Sequence, residues 1–236
     1  MRNKSVIAFV AAVGGAITCG LLWIFRHFPT MPPQASVQAE HVDSAWNGLL
    51  YVETTVYGLV MSFLLYCLLA FRASRRREQG EKFDRSPGRL VEVCWIGVSV
   101  ALTLSLAALG AHELRALIGD QSADIDVEVR AQQFNWEFYY PATKQYGTKL
   151  FLEIGKRHRI ILTSKDVVHS FWVPEFRIKQ DAVPGKVISM IVTPTKIGSY
   201  TLLCNQLCGW GHTDMQGSVE VLDHEGFEAN SRTSDF

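Results

Sequence analysis

Twelve consecutive residues of this 236-residue chain bring together two thiols, an imidazole and a thioether. They are Cys204, Cys208, His212 and Met215, in the spacing Cys-x3-Cys-x3-His-x2-Met. A second imidazole, His169, stands in Asp166-Val-Val-His-Ser-Phe-Trp-Val-Pro174. Thiolate, thioether and imidazole together suit copper. Zinc accepts two Cys and two His, but it has little use for Met215 and favours other spacings. A single-copper electron-transfer site uses one Cys, two His and a weak Met; here there is a second Cys. Two thiolates can bridge two copper ions, with one His on each, Met215 and a main-chain carbonyl completing the shell. Such a pair shares an electron with little change in its bonds, which suits fast electron transfer rather than bond-making. The alternative is a Cys204–Cys208 disulfide in an oxidising compartment. It accounts for the thiols but not for His169, His212 or Met215.

These residues need a rigid frame. Residues 113–236 alternate with period two at Ile125–Val129 and in parts of Lys149–Leu162 and Lys186–Thr193. Turn signals fall at Tyr140-Pro141, Tyr146-Gly147, Pro184-Gly185, Ile197-Gly198 and Gly217-Ser218. Several short strands so spaced predict an all-β sandwich or barrel. A helical pattern is expected only in the last dozen residues, and Ser231–Phe236 reads as a frayed tail.

The first half is of another kind. The chain carries 23 basic and 23 acidic residues, yet residues 1–112 net +3 and residues 113–236 net −3. Nothing in this balance calls for nucleic acid. Apolar runs at Val6–Phe25, Thr55–Phe71 (with a looser start near Leu49) and Val91–Ala111 are each long enough to cross a bilayer as a helix. The basic segment 72–89 between the second and third runs predicts a cytoplasmic loop, and so an exported C-terminal half. The first run reads as a third helix, with a signal peptide cleaved at Val37-Gln38-Ala39 as the alternative. The expected organisation is 1–48, an apolar segment and exported linker; 49–112, a helical hairpin; and 113–236, the exported β domain. Glu92 sits at the cytoplasmic start of the third run. An ionisable group there is either functional or a first-turn carboxylate favoured by the helix dipole.

Taken together, these motifs resemble subunit II of cytochrome c oxidase, of the haem–copper oxygen reductases, from about Leu49 onward. The Cys-x3-Cys-x3-His-x2-Met loop matches that family's binuclear CuA signature. The His169 stretch, Lys179-Gln-Asp-Ala-Val-Pro-Gly-Lys186, Gln133-Phe-Asn-Trp-Glu-Phe138 and Arg89-Leu-Val-Glu-Val-Cys-Trp95 match its neighbouring segments. The resemblance implies membrane helices followed by a cupredoxin-like Greek-key β-barrel in the bacterial cytoplasmic membrane, with the barrel on the periplasmic side. It implies two copper ions on His169, Cys204, Cys208, His212, Met215 and the Gln206 main-chain oxygen. It makes Trp136 and Phe134 the place where electrons come in, and Glu92 the mouth of a proton-uptake channel. Partners would be a haem-bearing subunit I, further oxidase subunits and cytochrome c or a similar one-electron donor.

Three departures matter. Gln206 stands where the family usually has a Glu that binds magnesium shared with subunit I, and an amide is a poorer ligand for that hard cation. Phe134 replaces an electron-accepting Trp. Ile96 and Ser99 replace a Thr and a Pro beyond Trp95. Gln206 also motivates an alternative reaction, nitric oxide reduction. An alternative of another class is a membrane-anchored copper-binding or assembly protein.

The remaining candidates read as follows. His158, between Arg157 and Arg159, is expected at the surface, and His112 and His224 as solvated. Trp172 and Trp210 flank ligands, either shielding the site or filling the core. Trp23 and Trp46 fit an interfacial belt. Asp214, Glu137 and Glu175 are expected to contribute to an acidic docking face.

Overall fold

The structure, a computed structural model, describes residues 2–28, 30–71 and 88–232. Most of the basic loop, residues 72–87, lies outside the described residues. The chain divides into two compact units, residues 1–30 with 45–112, and residues 31–44 with 113–236.

The first unit is helical. Three helices are long and apolar enough to cross a membrane: α1 (Arg2–His27), α2 (Val37–Ala70) and α3 (Arg89–Ile118). Small residues let α1 and α2 touch. The Thr18 hydroxyl donates to the Thr54 carbonyl at 3.2 Å. A Cβ on Gly58 would come within 2.7 Å of the Gly14 carbonyl. This is the close backbone approach that small residues permit between helices in lipid. No residue of α3 is buried. Its apolar side chains, such as Val93, Trp95 and Val98, stand open, as they would against lipid. Trp23 and Trp46 are exposed. Helix α2 begins well before the expected Leu49. The Ser36 hydroxyl accepts the Ala39 N–H at 3.0 Å and caps it, so residues 37–48, expected as linker, are helical.

The second unit is the expected all-β domain, built as two five-stranded sheets. One runs β3 (Gln145–Gly147), β2 (Asn135–Tyr140), β1 (Ile125–Gln132), β5 (His158–Ser164), β8 (Ile188–Val192). The other runs β4 (Lys149–Glu153), β10 (Gln216–Leu222), β9 (Gly198–Cys204), β6 (His169–Val173), β7 (Ile178–Ala182). The pairs β1–β5 and β4–β10 are parallel, and the rest antiparallel. Alternate residues point inward: Val127, Val129 and Ala131 from β1, Trp136 and Phe138 from β2, Ile160 and Leu162 from β5, Val219 and Val221 from β10. That is the period-two pattern of sheets that bury one face.

Two turn expectations fail. Tyr146-Gly147 lies inside β3 and Gly217-Ser218 inside β10, where ladder bonds to β2 and β9 hold both pairs extended. A short helix, α4 (His224–Ser231), closes the domain, capped by the Asp223 carboxylate. Ser231 is not frayed: it is buried, and its carbonyl accepts the Thr143 hydroxyl at 2.8 Å.

Residues 31–44 form a strap on this domain. Ala35 N–H donates to the Glu175 carbonyl at 3.0 Å and Val37 N–H to the Thr193 carbonyl at 3.0 Å. The Ser36 hydroxyl donates to the Phe176 carbonyl at 2.9 Å. The half-buried Asp43 accepts from the buried Arg177 guanidinium at 2.8 Å.

Candidate metal centre

Cys204 ends β9 and Met215 immediately precedes β10, so the two face each other across one antiparallel pair. Cys204 N–H donates to the Met215 carbonyl at 3.2 Å. The intervening loop carries Cys208 and His212. His169 opens β6, two residues before Phe171, which pairs with Cys204. The β6 segment and the β9–β10 region, distant in sequence, therefore converge through strand register.

The donor atoms cluster tightly. His169, Cys204 and Cys208 are buried and offer ligand atoms within 4.8 Å of one another. Cys204 Sγ lies 3.8 Å from Cys208 Sγ and 3.8 Å from His169 Nδ1. Cys208 Sγ lies 3.6 Å from His212 Nδ1 and 3.8 Å from Met215 Sδ. The Gln206 carbonyl is 3.3 Å from Cys204 Sγ. Both thiols are free. Each thiol thus stands beside a different imidazole, one with a carbonyl and the other with a thioether. This set fits a soft cation, and its division into two halves would suit a pair of such ions. Burial pushes the Cys208 thiol up to about 11, helped by the neighbouring Cys204. Two thiolates would not be held this close without a cation to neutralise them.

Two residues that the sequence reading passed over hold the ligands in place. The Asp166 carboxylate faces His169 Nε2 at 2.8 Å. This puts the ring proton on Nε2 and turns the Nδ1 lone pair towards Cys204. Desolvation works to raise the Asp166 carboxyl, but hydrogen bonds from Gln133 N–H, the His169 ring and Val167 N–H outweigh it and hold it at about 2. The Gln133 side-chain amide donates to the Cys208 carbonyl at 2.5 Å, while its N–H donates to Asp166 at 2.7 Å. One residue on the β1–β2 turn therefore ties the His169 segment to the Cys208 loop. Asp166 could have been suspected from its place three residues before His169. Gln133 left no comparable signal.

The other candidates are dispersed. Trp136 is buried, edge-on to His169 at 6.3 Å between ring centres. Phe134 is half-buried, with its ring against Gly209 and Gly211. Gly209 has φ +141, a conformation that favours glycine. Its missing side chain leaves room for Gln133 and Phe134. Gln206 turns its side chain to solvent. Trp172 is half-buried, whereas Trp210 is exposed and is not a core aromatic. Glu92 lies in the first turn of α3, in the helical unit. His158, expected at the surface, is fully buried. Strand alternation turns Arg157 and Arg159 out and His158 in, with Ile160 and Leu162. His112 is exposed. His224 is largely exposed and its ring lies 3.0 Å from Glu153. The acidic face is not formed as expected. Glu137 is taken up by Arg130 at 3.3 Å and Lys165 at 2.9 Å, and Glu175 Oε2 is buried.

Comparison with known proteins agrees with this geometry. Residues 144–222 match the family model of the cytochrome c oxidase subunit II periplasmic domain. The chain is 27% identical to cytochrome c oxidase subunit 2 of Thermostichus vulcanus, over 97% of this chain and 85% of that protein. The chain is similar to subunit II of cytochrome c oxidase over most of its length. These relatives are subunits of an oxidoreductase complex, and the three long apolar helices and the β unit of this chain fit a membrane-anchored subunit of that kind. The chain is also 27% identical to the alternative cytochrome c oxidase subunit 2 of Bradyrhizobium diazoefficiens, over 80% of this chain and 78% of that protein. Among solved structures it is similar to the periplasmic domain of cytochrome oxidase subunit II of Bradyrhizobium japonicum. There the identity is 25% and the TM-score 0.46, over 48% of this chain and 94% of that one.

Proposed function

We propose that this chain is the electron-accepting subunit of its oxidase. It takes single electrons from a soluble c-type cytochrome or similar carrier and passes them to haem in the catalytic subunit, where oxygen is reduced to water and protons are pumped. The observation that carries this reading is the pairing of each thiol with its own imidazole. When bound, two copper ions would supply one-electron storage with little structural change. The chain's own residues do the rest. His169 and Cys204 would hold one half of the centre, and His212, Cys208 and Met215 the other, with the Gln206 carbonyl beside Cys204. Asp166 and Gln133 keep these groups at fixed spacing, which limits rearrangement when charge changes. Trp136 excludes water from the His169 side. Phe134 covers the loop at Gly209 and Gly211, on the side where electrons would come in.

The basic run 72–89 supports a cytoplasmic location for the loop between α2 and α3, with the β unit on the outer side of a bacterial cytoplasmic membrane. Glu92 would then lie at the cytoplasmic end of α3, suited to collecting protons for the catalytic subunit. Its replacement, Glu92→Gln, is expected to slow oxygen turnover while leaving the copper spectrum intact. Unchanged turnover would return it to a first-turn carboxylate.

The deciding measurement is electron paramagnetic resonance of the purified complex. A seven-line copper pattern is expected, from one electron shared by two equivalent nuclei, and Cys204→Ser should abolish it. A four-line pattern, or survival of the signal in Cys204→Ser, would refute the two-copper reading. Parallel uptake assays with oxygen and nitric oxide identify the gas reduced.

A further inference from the structure

Helices α1 and α2 flank a cavity of about 560 Å³ near the end of α1 that leads into the strap. Leu22, Phe25 and Leu50 make its apolar part. Its polar groups are the Trp23 indole N–H, the Arg26 guanidinium, the Asn47 amide and the Tyr51 phenol. All four can donate hydrogen bonds, and no carboxylate lines the cavity. Arg26 is exposed and has no acidic partner among the described residues. Trp23 is held in place. His27, one turn on, donates from Nδ1 to the Trp23 carbonyl at 2.8 Å and stacks on the indole with ring centres 4.6 Å apart.

Depth and charge indicate what such a cavity would take. A helix crosses the hydrocarbon in roughly 20 residues. Counted back from Ala70, the end of α2, that length reaches Tyr51. Trp23, Arg26 and Tyr51 therefore stand at headgroup level, where aromatic belts lie. Arg26 is also the only Lys or Arg in residues 26–48, the stretch read as lying outside. Basic residues are mostly kept to the cytoplasmic side, so a cation here, beside three further donors, calls for an anion. A helix of a partner subunit would cover the guanidinium with apolar side chains and leave it without an acceptor.

We propose that this cavity holds an anionic phospholipid of the outer leaflet, with its phosphate on Arg26 and an acyl chain along Leu22, Phe25 and Leu50. The leaflet follows from the outward location of the β unit proposed above, and the site does not depend on the copper reading. A zwitterionic lipid brings an ammonium group for which the wall has no carboxylate, so it binds less tightly.

The test titrates the purified, delipidated complex in detergent with phosphatidylglycerol, phosphatidylcholine or inorganic phosphate, and reads bound lipid by native mass spectrometry. Phosphatidylglycerol should bind about tenfold tighter than phosphatidylcholine. Arg26→Gln should remove that preference by weakening phosphatidylglycerol about tenfold, and Arg26→Lys should restore most of it. Arg115→Gln removes an exposed cation from the last turn of α3 and should match the unmodified complex. Copper signal and subunit content should be the same in every variant. Undiminished phosphatidylglycerol binding in Arg26→Gln overturns the site. An equal loss in Arg115→Gln overturns it too, by showing a general attraction to basic residues. Displacement of phosphatidylglycerol by an equal concentration of inorganic phosphate shows an anion site that needs no acyl chain, and overturns the lipid. Loss of a partner subunit from Arg26→Gln overturns it by placing Arg26 in a subunit contact, and so does a mature subunit that begins beyond Arg26. Labelling of the β unit from the cytoplasmic side is the separate failure, which removes the outward location and the leaflet with it.

Discussion

Two buried histidines of the β unit show how differently one residue type can be used. His169 and His158 are both fully buried. His169 has each ring nitrogen assigned to a neighbour, Nε2 to Asp166 at 2.8 Å and Nδ1 beside Cys204 at 3.8 Å. His158, at the start of β5, accepts the Glu153 N–H on Nε2 at 3.0 Å. The same nitrogen lies 3.2 Å from the Glu153 carbonyl, Nδ1 has no partner among the described residues, and the ring meets Phe227 edge-on at 5.8 Å. Burial alone does not identify a ligand. A carboxylate that orients one nitrogen, and soft atoms gathered around the other, do.

The comparison can be broken most severely through pH. Burial lowers His158 to about 4, against the pull of the nearby Glu153 and Asp124 carboxylates. The unfolded chain would protonate it near 6.5. Between those values the unfolded state binds a proton that the folded state refuses. Stability is therefore lost as pH falls from about 6.5 to about 4, by about 3 kcal/mol in all. The thermal melting temperature of the β unit should fall steeply across that window, and in His158→Leu the slope should flatten while the copper signal expected at neutral pH survives. An equal slope in the variant would show that other groups carry the acid sensitivity. Asp166, held at about 2, loses its contribution only below about 3.8 and does not overlap this window.

A smaller effect sharpens the other half of the comparison. Asp166→Ala frees the His169 ring without removing a ligand. Copper affinity, measured by competition with a chelator, should weaken about 10- to 100-fold, the usual cost of losing a partner behind a metal-bound imidazole. The signal should remain binuclear. Undiminished affinity would mean that β6 alone holds His169 in place.

Much of the site was legible in the sequence because its ligands are rare, soft residues at fixed intervals. The residues that position them were not, because Asp and Gln are common and their role depends on loops that meet only in the folded chain. Gln133 reaches Cys208 across 75 positions. His158 reads as a surface residue because its charged neighbours, Arg157 and Arg159, mask the alternation that places it with Ile160 and Leu162. The apolar spans were visible as composition, but the start of α2 was not. Its first turns are polar and are set by the Ser36 cap and the strap rather than by hydropathy.

That strap also bears on the order in which the molecule is made. Residues 31–44 leave the ribosome before two of the three spans have been synthesised. Their hydrogen-bonding partners come far later: Phe176 is 140 positions beyond Ser36, and Thr193 is 155 beyond Gln38. The strap must therefore wait unpaired while the strands that receive it are made. Contacts so distant in sequence form slowly. The seam beside β8 and the Pro174–Phe176 turn therefore stays open until both the strap and the strands that receive it have been made.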